Sequence, residues 1–317
     1  MGMKAFAVLV VGQMLGTGLL WADSAERTGR GPVSPRQPAR NRTERAPVVR
    51  ATANVVLVPV SVRDGNDTPI RGLTRESFHV FEEGVEREIQ SFTEEEGPVS
   101  LGIVFDASRS MQSKLAESRT AVARLTETRL PGDEYLAVAF NDSPYLLCRL
   151  TADVDRVRDA LNSIAARGWT SLYDGIYLSA GLMRSAANSR RSLLILSDGE
   201  DNFSRYSSSE VRTYLREAGV TVYAIGLAGG GLSGMRGRTL RRLTEETGGW
   251  FLPVEGEGEV GQAVAEMSRA IRSQYVIGIR ASQPSEAGKY RRLQVKVQPQ
   301  GAEPFRVSWR SGYYGAE

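Results

Sequence analysis

Three short and almost uninterrupted apolar runs constrain the fold of this chain more than any other feature. They occupy residues 99–105, 193–196 and 220–225. Each run lacks the alternating polar residues of a half-exposed strand, as expected for strands that are covered on both faces. Such strands occur in parallel sheets that carry helices on either side. We therefore predict an α/β fold with a doubly wound, mostly parallel, Rossmann-like sheet.

Segments with the helical spacing of apolar residues alternate with these runs. In residues 153–166, for example, Val154, Val157, Leu161 and Ile164 would share one helix face. Helices are predicted at 114–129, 153–166, 172–186, 209–218, 240–247 and 261–272. Residues 135–140 and 250–254 add strands, and residues 145–150 predict an antiparallel neighbour of 135–140.

The two flanks of this region have β-sheet texture. Alternating apolar and polar residues predict strands at 55–62, 78–81 and 88–92, and again at 275–279, 293–297 and 305–309. We therefore divide the folded part into an N-terminal β unit at 51–96, an α/β domain at 97–272 and a C-terminal β segment at 273–317. The two β regions could pair with each other, because the ends of a domain often lie close together.

The first residues resemble an export signal. Lys4, the apolar stretch 5–20 and the small residue Ala22 predict a signal peptide at 1–22. The stretch is shorter than a membrane span requires, which favours cleavage over an uncleaved anchor, and no other segment is apolar enough to span. Residues 23–50 predict a disordered basic linker. We expect an exported protein that is periplasmic, on the cell surface or secreted.

The basic charge is concentrated at this end of the chain. Residues 1–50 hold eight basic and three acidic side chains, which leaves the remainder with a net charge of −2 out of the total of +3. The folded part is therefore not expected to bind nucleic acid. The basic arm could touch an anionic lipid or polymer, although a solvated spacer is favoured.

Oxygen-bearing side chains follow two of the predicted buried strands. Asp106, Ser108 and Ser110 come directly after 99–105, and Asp198 follows 193–196. Ligands bind in the crevice outside the carboxyl ends of such strands. Two carboxylates that converge there would repel each other, and a divalent cation offsets this repulsion. The alternative is a turn in which Ser110 caps the following helix; Thr170, a further hydroxyl just before a helix, is also open to a capping role.

Together these five residues resemble a known family. In order and loop position, Asp106, Ser108, Ser110, Thr170 and Asp198 match the metal-ion-dependent adhesion site of von Willebrand factor type A domains, over about residues 97–272. The resemblance implies that Ser108 and Ser110 are direct metal ligands, that Thr170 ligates directly in the ligand-bound state, and that Asp106 and Asp198 act mainly through water. It implies Mg²⁺, or Ca²⁺ or Mn²⁺, as the cofactor.

The flanks are similar to a group of exported bacterial proteins with a related domain. The similarity rests on residues 72–78, 81–84 and 312–314.

Three functions are compatible with this site. The first is a non-enzymatic binding protein whose metal meets an Asp or Glu carboxylate of a protein partner. The second is a structural or assembly subunit of an envelope complex. The third, a metal-dependent hydrolase, is disfavoured because His79 is the only histidine and sits in strand texture. Asp174, Asp201 and Asn202 are candidates for orienting the site loops or lining their rim, although turn and cap roles are favoured for each.

Overall fold

The computed structural model describes residues 55–94, 97–227, 235–256, 258–281, 288–298 and 304–314. The predicted signal peptide at 1–22 and linker at 23–50 lie outside these residues. None of the helices in this described part of the chain is long and apolar enough to cross a membrane.

Fourteen strands and six α-helices are described. The strands are β1 Val55–Asp64, β2 Phe78–Glu82, β3 Val85–Arg87, β4 Ile89–Glu94, β5 Ser100–Asp106, β6 Glu134–Phe140, β7 Pro144–Thr151, β8 Arg191–Ser197, β9 Thr221–Gly226, β10 Phe251–Pro253, β11 Tyr275–Arg280, β12 Tyr290–Val297, β13 Phe305–Trp309 and β14 Gly312–Tyr314. The helices are α1 Leu115–Glu127, α2 Val154–Asn162, α3 Leu172–Leu182, α4 Ser208–Ala218, α5 Met235–Thr247 and α6 Val260–Arg272.

A six-stranded sheet in the order β10-β9-β8-β5-β6-β7 forms the centre of the α/β domain. Its neighbours pair in parallel, except that β7 runs antiparallel to β6. All seven residues of β5 are buried, because helices cover both faces of the sheet. Leu101, Ile103 and Phe105 pack with residues of α1, α2 and α6. Val104 packs on the other side with residues of α3, α4 and α5. The predicted fold class, including antiparallel β structure from both flanks, is confirmed.

The flanks form two four-stranded antiparallel sheets, in the orders β13-β1-β11-β4 and β14-β12-β2-β3. Each contains strands from before and after the α/β domain. The sheets share one core: the Phe78 ring of β2 lies 5.2 Å from that of Phe92 on β4 and 4.9 Å from that of Tyr275 on β11, between ring centroids. We call this pair of sheets the sandwich. Strand β4 is the last strand before the α/β domain, and β11 is the first strand of the sandwich after it. These two strands pair with each other.

Several predicted boundaries were wrong. The strand that follows β2 is β3, joined to it through Glu83 and Gly84, both at positive φ as a tight hairpin turn requires. The predicted strand at 88–92 is β4, which belongs to the other sheet. The helix predicted at 153–166 ends at Asn162. The chain beyond it meets the loop that follows β5, where the N–H of Arg167 donates to the carbonyl of Ala107 at 2.8 Å.

Candidate metal site

Three loops meet at the carboxyl edge of the central sheet. The first loop, 106–110, begins at the last residue of β5, and the second, 167–171, precedes α3. The third, 197–203, begins at the last residue of β8. Direct hydrogen bonds join them. The N–H of Arg109 donates to the carbonyl of Gly168 at 3.3 Å, and the N–H of Asn202 donates to the carbonyl of Thr170 at 3.0 Å. The parallel strands therefore bring together segments that are far apart in sequence.

Asp106 is the fixed point of the first loop. Its side chain is fully buried, and both of its carboxylate oxygens are engaged. Oδ1 accepts the N–H of Ser108 at 2.9 Å, and Oδ2 accepts the hydroxyl of Ser197 at 2.6 Å. The second of these bonds ties the first loop to the third. The sequence analysis did not identify Ser197 as a site residue. Its only sign in the sequence is a single hydroxyl at the end of an apolar strand.

Two hydroxyls follow Asp106 side by side. The Oγ atoms of Ser108 and Ser110 lie 3.0 Å apart, with Ser108 buried and Ser110 exposed. The capping alternative for Ser110 was wrong, because α1 begins only at Leu115 and its N-cap residue is Lys114. The pair of oxygens thus leads from the buried carboxylate towards solvent.

Thr170 is held by the third loop. Its N–H donates to Oδ1 of Asn202 at 2.9 Å, and its carbonyl accepts the N–H groups of Asn202 and Phe203 at 3.0 Å each. Thr170 is buried and is not the cap of α3, whose N-cap residue is Ser171. Asn202 therefore holds the backbone of Thr170 directly, whereas the sequence favoured a turn or cap role for it.

Other contacts fix the second and third loops. Trp169 donates its N–H to Oδ1 of Asp142 at 2.7 Å. Gly168 has a φ of +75°, and a Cβ there would lie 2.6 Å from the Asp142 carboxylate, so only glycine fits. Asp174 Oδ1 accepts the N–H groups of Arg205 and Tyr206 at 2.9 and 3.0 Å. Asp174 therefore orders the chain just beyond the third loop rather than the Thr170 loop.

The site concentrates negative charge away from solvent. Asp198 is 5% exposed and its Oδ1 accepts the N–H of Glu200 at 3.0 Å. Burial, with a smaller contribution from the charge of Asp198, raises the pKa of Asp106 to about 6, against the hydrogen bonds from Ser108 and Ser197 that lower it. No lysine or arginine pairs with Asp106 within the described ranges. A cation at this edge would relieve the electrostatic cost of the buried Asp106 carboxylate.

The donor set suits a hard divalent ion. Two carboxylates and three hydroxyls offer oxygen ligands only, which is the chemistry of Mg²⁺, Ca²⁺ or Mn²⁺ rather than of zinc. Among the described residues, no group of three or more His, Cys, Asp or Glu could hold a metal. An ion at this edge must therefore use the hydroxyls as well as Asp106 and Asp198. The only histidine, His79, lies on β2 of the sandwich with its Nδ1 2.7 Å from Oε1 of Glu86.

The α/β domain is similar to known proteins. Residues 101–200 match the family model of the von Willebrand factor type A domain. A solved von Willebrand factor type A structure from Catenulispora acidiphila aligns with a TM-score of 0.50 at 15% identity, covering 77% of this chain and 76% of that one. The conserved hypothetical protein BatB of Bacteroides thetaiotaomicron aligns with a TM-score of 0.46 at 18% identity, over 55% of this chain and 100% of that one.

The vWF domain of the type V pili tip protein Mfa5 from Porphyromonas gingivalis is similar with a TM-score of 0.47 at 12% identity, over 55% of this chain and 95% of that one. No curated protein matches the sequence. The matched family model and the sheet order agree with the resemblance drawn from the five site residues. The α/β part of this chain is therefore similar to von Willebrand factor type A domains, in sequence over residues 101–200 and in fold.

Proposed function

We propose that this chain is an exported, non-enzymatic binding protein that presents Mg²⁺, or Ca²⁺ or Mn²⁺, to an Asp or Glu carboxylate of a protein partner. One observation carries the proposal. The buried Asp106 carboxylate, which no lysine or arginine of the described residues neutralises, stands directly behind the paired hydroxyls of Ser108 and Ser110. The export part rests on the signal-like sequence at 1–22.

Each site residue has a distinct role in this proposal. Ser108 and Ser110 would hold the ion directly, Thr170 would join them when a partner is bound, and Asp106 and Asp198 would act through water. Because hydroxyls are neutral, the bound ion would supply positive charge and an open position for a carboxylate. Asp106 is kept in place by Ser197 and the Ser108 N–H, and Asn202 keeps Thr170 within reach.

Exposed aromatic side chains next to the site support a role in protein binding. Trp169 precedes Thr170 in the sequence and is 61% exposed. Phe203 donates its N–H to the carbonyl of Thr170 and is 53% exposed. Together with Tyr206, they are the exposed large hydrophobic residues described in the α/β domain. Large apolar side chains that remain exposed beside a polar centre are typical of interaction sites. We infer that the partner places apolar groups beside its carboxylate.

Capture of partners from an envelope extract tests the proposal. The full chain is immobilised and exposed to extract with Mg²⁺ or with chelator, as wild type, Asp106→Ala and Asp159→Asn. Asp159 is an exposed acid on α2, so its variant controls for the loss of one carboxylate. We expect one set of proteins to bind wild type and Asp159→Asn in Mg²⁺, and to be lost with chelator and with Asp106→Ala.

Two other outcomes would replace the proposal. Capture that survives both chelator and Asp106→Ala would favour an assembly subunit in which the metal is incidental. Metal-dependent turnover of ester or phosphate substrates, lost in Asp106→Ala, would favour a hydrolase.

A further inference from the structure

A cavity of about 470 Å³ lies at the opposite edge of the central sheet from the metal site. One wall belongs to the sandwich and includes Leu57 of β1 and Val276 of β11. The other belongs to the α/β domain and includes the first residues of β8 and β9 and the end of α4. This volume is in the usual range for sites that bind small molecules.

Basic side chains dominate the charge of the cavity lining. The lining includes five arginines and two glutamates. One of the glutamates, Glu246, is already paired: its Oε1 lies 2.8 Å from Arg212 and 3.1 Å from Arg242, and neither arginine lines the cavity. The other, Glu217, is exposed on α4. Of the five arginines, Arg291 is paired with Glu82, which does not line the cavity: its Nη1 lies 3.2 Å from Oε1.

Three of the lining arginines have no carboxylate partner in the part of the chain that the structure describes. Arg191 donates to the carbonyls of Asn188 and Ala186, at 3.3 and 3.2 Å. Arg216 donates to the carbonyl of Arg212 at 3.2 Å and to the Thr213 hydroxyl at 3.4 Å. These neutral oxygens, and the Tyr290 ring that lies 5.0 Å from the Arg216 guanidinium, leave both groups without an anionic partner.

Arg310 is the third of these arginines. Its Nε is buried and has no hydrogen-bond partner among the described residues. Burial lowers the pKa of Arg310, which shows that the surroundings disfavour its charge. A buried guanidinium donor of this kind is usually satisfied by a carboxylate or phosphate oxygen.

The sandwich wall of the same cavity is apolar. Val55 and Leu57 point away from the sandwich core and remain 40% and 46% exposed. Pro59 and Val276 continue this surface. A ligand that met only the arginines would leave these side chains in water, so the lining favours a molecule with both an anionic group and an apolar part.

We propose that this cavity binds a small amphiphilic anion, with the carboxylate or phosphate ester among Arg191, Arg216 and Arg310 and the apolar part against Leu57 and Val276. We call it the arginine cavity. This site goes beyond the proposed function, because it shares no residue with the metal site and lies at the other edge of the sheet.

Calorimetric titration of the full chain tests the proposal directly. The probes are decanoate, decyl phosphate, decanol and acetate, all in the presence of chelator. We expect saturable one-to-one binding of decanoate, decyl phosphate or both, with decanol and acetate at least tenfold weaker. Preference for decyl phosphate would identify a phosphate ester as the ligand chemistry, and preference for decanoate a carboxylate. Binding of neither anion, or equal binding of decanol, would overturn the proposal.

Two matched variants locate the binding. Arg216→Gln removes one cavity guanidinium from α4 and should weaken the preferred anion ten- to hundredfold, as for loss of a charged hydrogen bond. Arg124→Gln removes an exposed guanidinium from α1, away from the cavity, and should bind as wild type does. Equal affinity of Arg216→Gln and wild type would contradict the proposal, provided thermal melting shows both are folded. Because the titrations contain chelator, their result is independent of the metal site.

Discussion

Asp106 and Asp133 lie at opposite edges of the same sheet, and their surroundings differ in one decisive respect. Asp133 is buried just before β6, where it accepts the N–H groups of Val99 and Leu130 at 2.8 Å each. Oδ2 of Asp133 also lies 2.8 Å from Nη2 of Arg272, at the end of α6. Asp106 is equally buried but receives hydrogen bonds only from Ser108 and Ser197.

This difference separates a structural carboxylate from a candidate functional one. At the amino edge, the protein supplies the cation that Asp133 needs. At the carboxyl edge, two carboxylates approach each other and the described residues supply no cation to Asp106. A charge left uncompensated in this way costs stability, which suggests that a ligand compensates it.

The largest loss of stability is expected from Asp133→Ala. The variant leaves the Arg272 guanidinium buried without its partner, so the free energy of unfolding should fall by about 3–5 kcal/mol. Urea denaturation in chelator measures this loss. The double variant Asp133→Ala with Arg272→Leu should recover part of it, and an equal loss in the double variant would show that the ion pair is not the cause.

Asn202→Ala should cause a smaller loss. It removes the acceptor of the Thr170 N–H and leaves that donor unsatisfied, which should lower the free energy of unfolding by about 1–2 kcal/mol. The same denaturation experiment measures it. Asn202→Asp keeps an acceptor oxygen and serves as the control. A wild-type stability for Asn202→Ala would mean that Asn202 does not fix the second loop.

Asp106→Asn should change the free energy of unfolding less than Asp133→Ala or Asn202→Ala does, yet abolish most metal binding. The amide keeps hydrogen bonds to Ser108 and Ser197 while removing a buried charge, so unfolding in chelator should change by no more than about 1 kcal/mol. Affinity for Mg²⁺ or Ca²⁺, measured by calorimetry, should fall about ten- to hundredfold. A loss of stability as large as that of Asp133→Ala, or unchanged metal affinity, would contradict the view that Asp133 is structural and Asp106 belongs to a metal site.

Trp169→Ser tests the exposed rim of the metal site. Because the side chain is exposed, the free energy of unfolding should stay within about 0.5 kcal/mol of wild type. Metal affinity should also be unchanged, whereas capture of the metal-dependent partner should weaken. Undiminished capture would place the partner's contacts elsewhere.

Local patterns in the sequence were sufficient to predict the sheet and the first loop. The buried runs identified β5, β8 and β9, and the spacing of Asp106, Ser108 and Ser110 is visible within five residues. The convergence of this loop with Asp198 follows from parallel strands, whose carboxyl ends share one edge, whereas Thr170 precedes a helix and its loop is held there by hydrogen bonds to the other two loops. The strands and the first loop depend on residues close together in the chain.

Features that depend on distant partners were missed. Asn202 meets Thr170 across 32 positions, and Ser197 meets Asp106 across 91. The short strand β14 exists because residues of β12 pair with it, and three residues alone carry too little pattern to predict a strand. The arginine cavity collects side chains from separate elements of both parts of the fold, so no single segment predicts it.

The pairing of β4 with β11 has a mechanical consequence. Glu94 and Tyr275 are partners in this ladder, so the chain enters and leaves the α/β domain at neighbouring strands. A pulling force applied to the chain on either side of the sandwich would pass across the β4–β11 hydrogen bonds before it reached the domain between them. The metal-site loops would stay free of tension until that ladder separated, so a partner held there would meet an undistorted surface while the chain bore load.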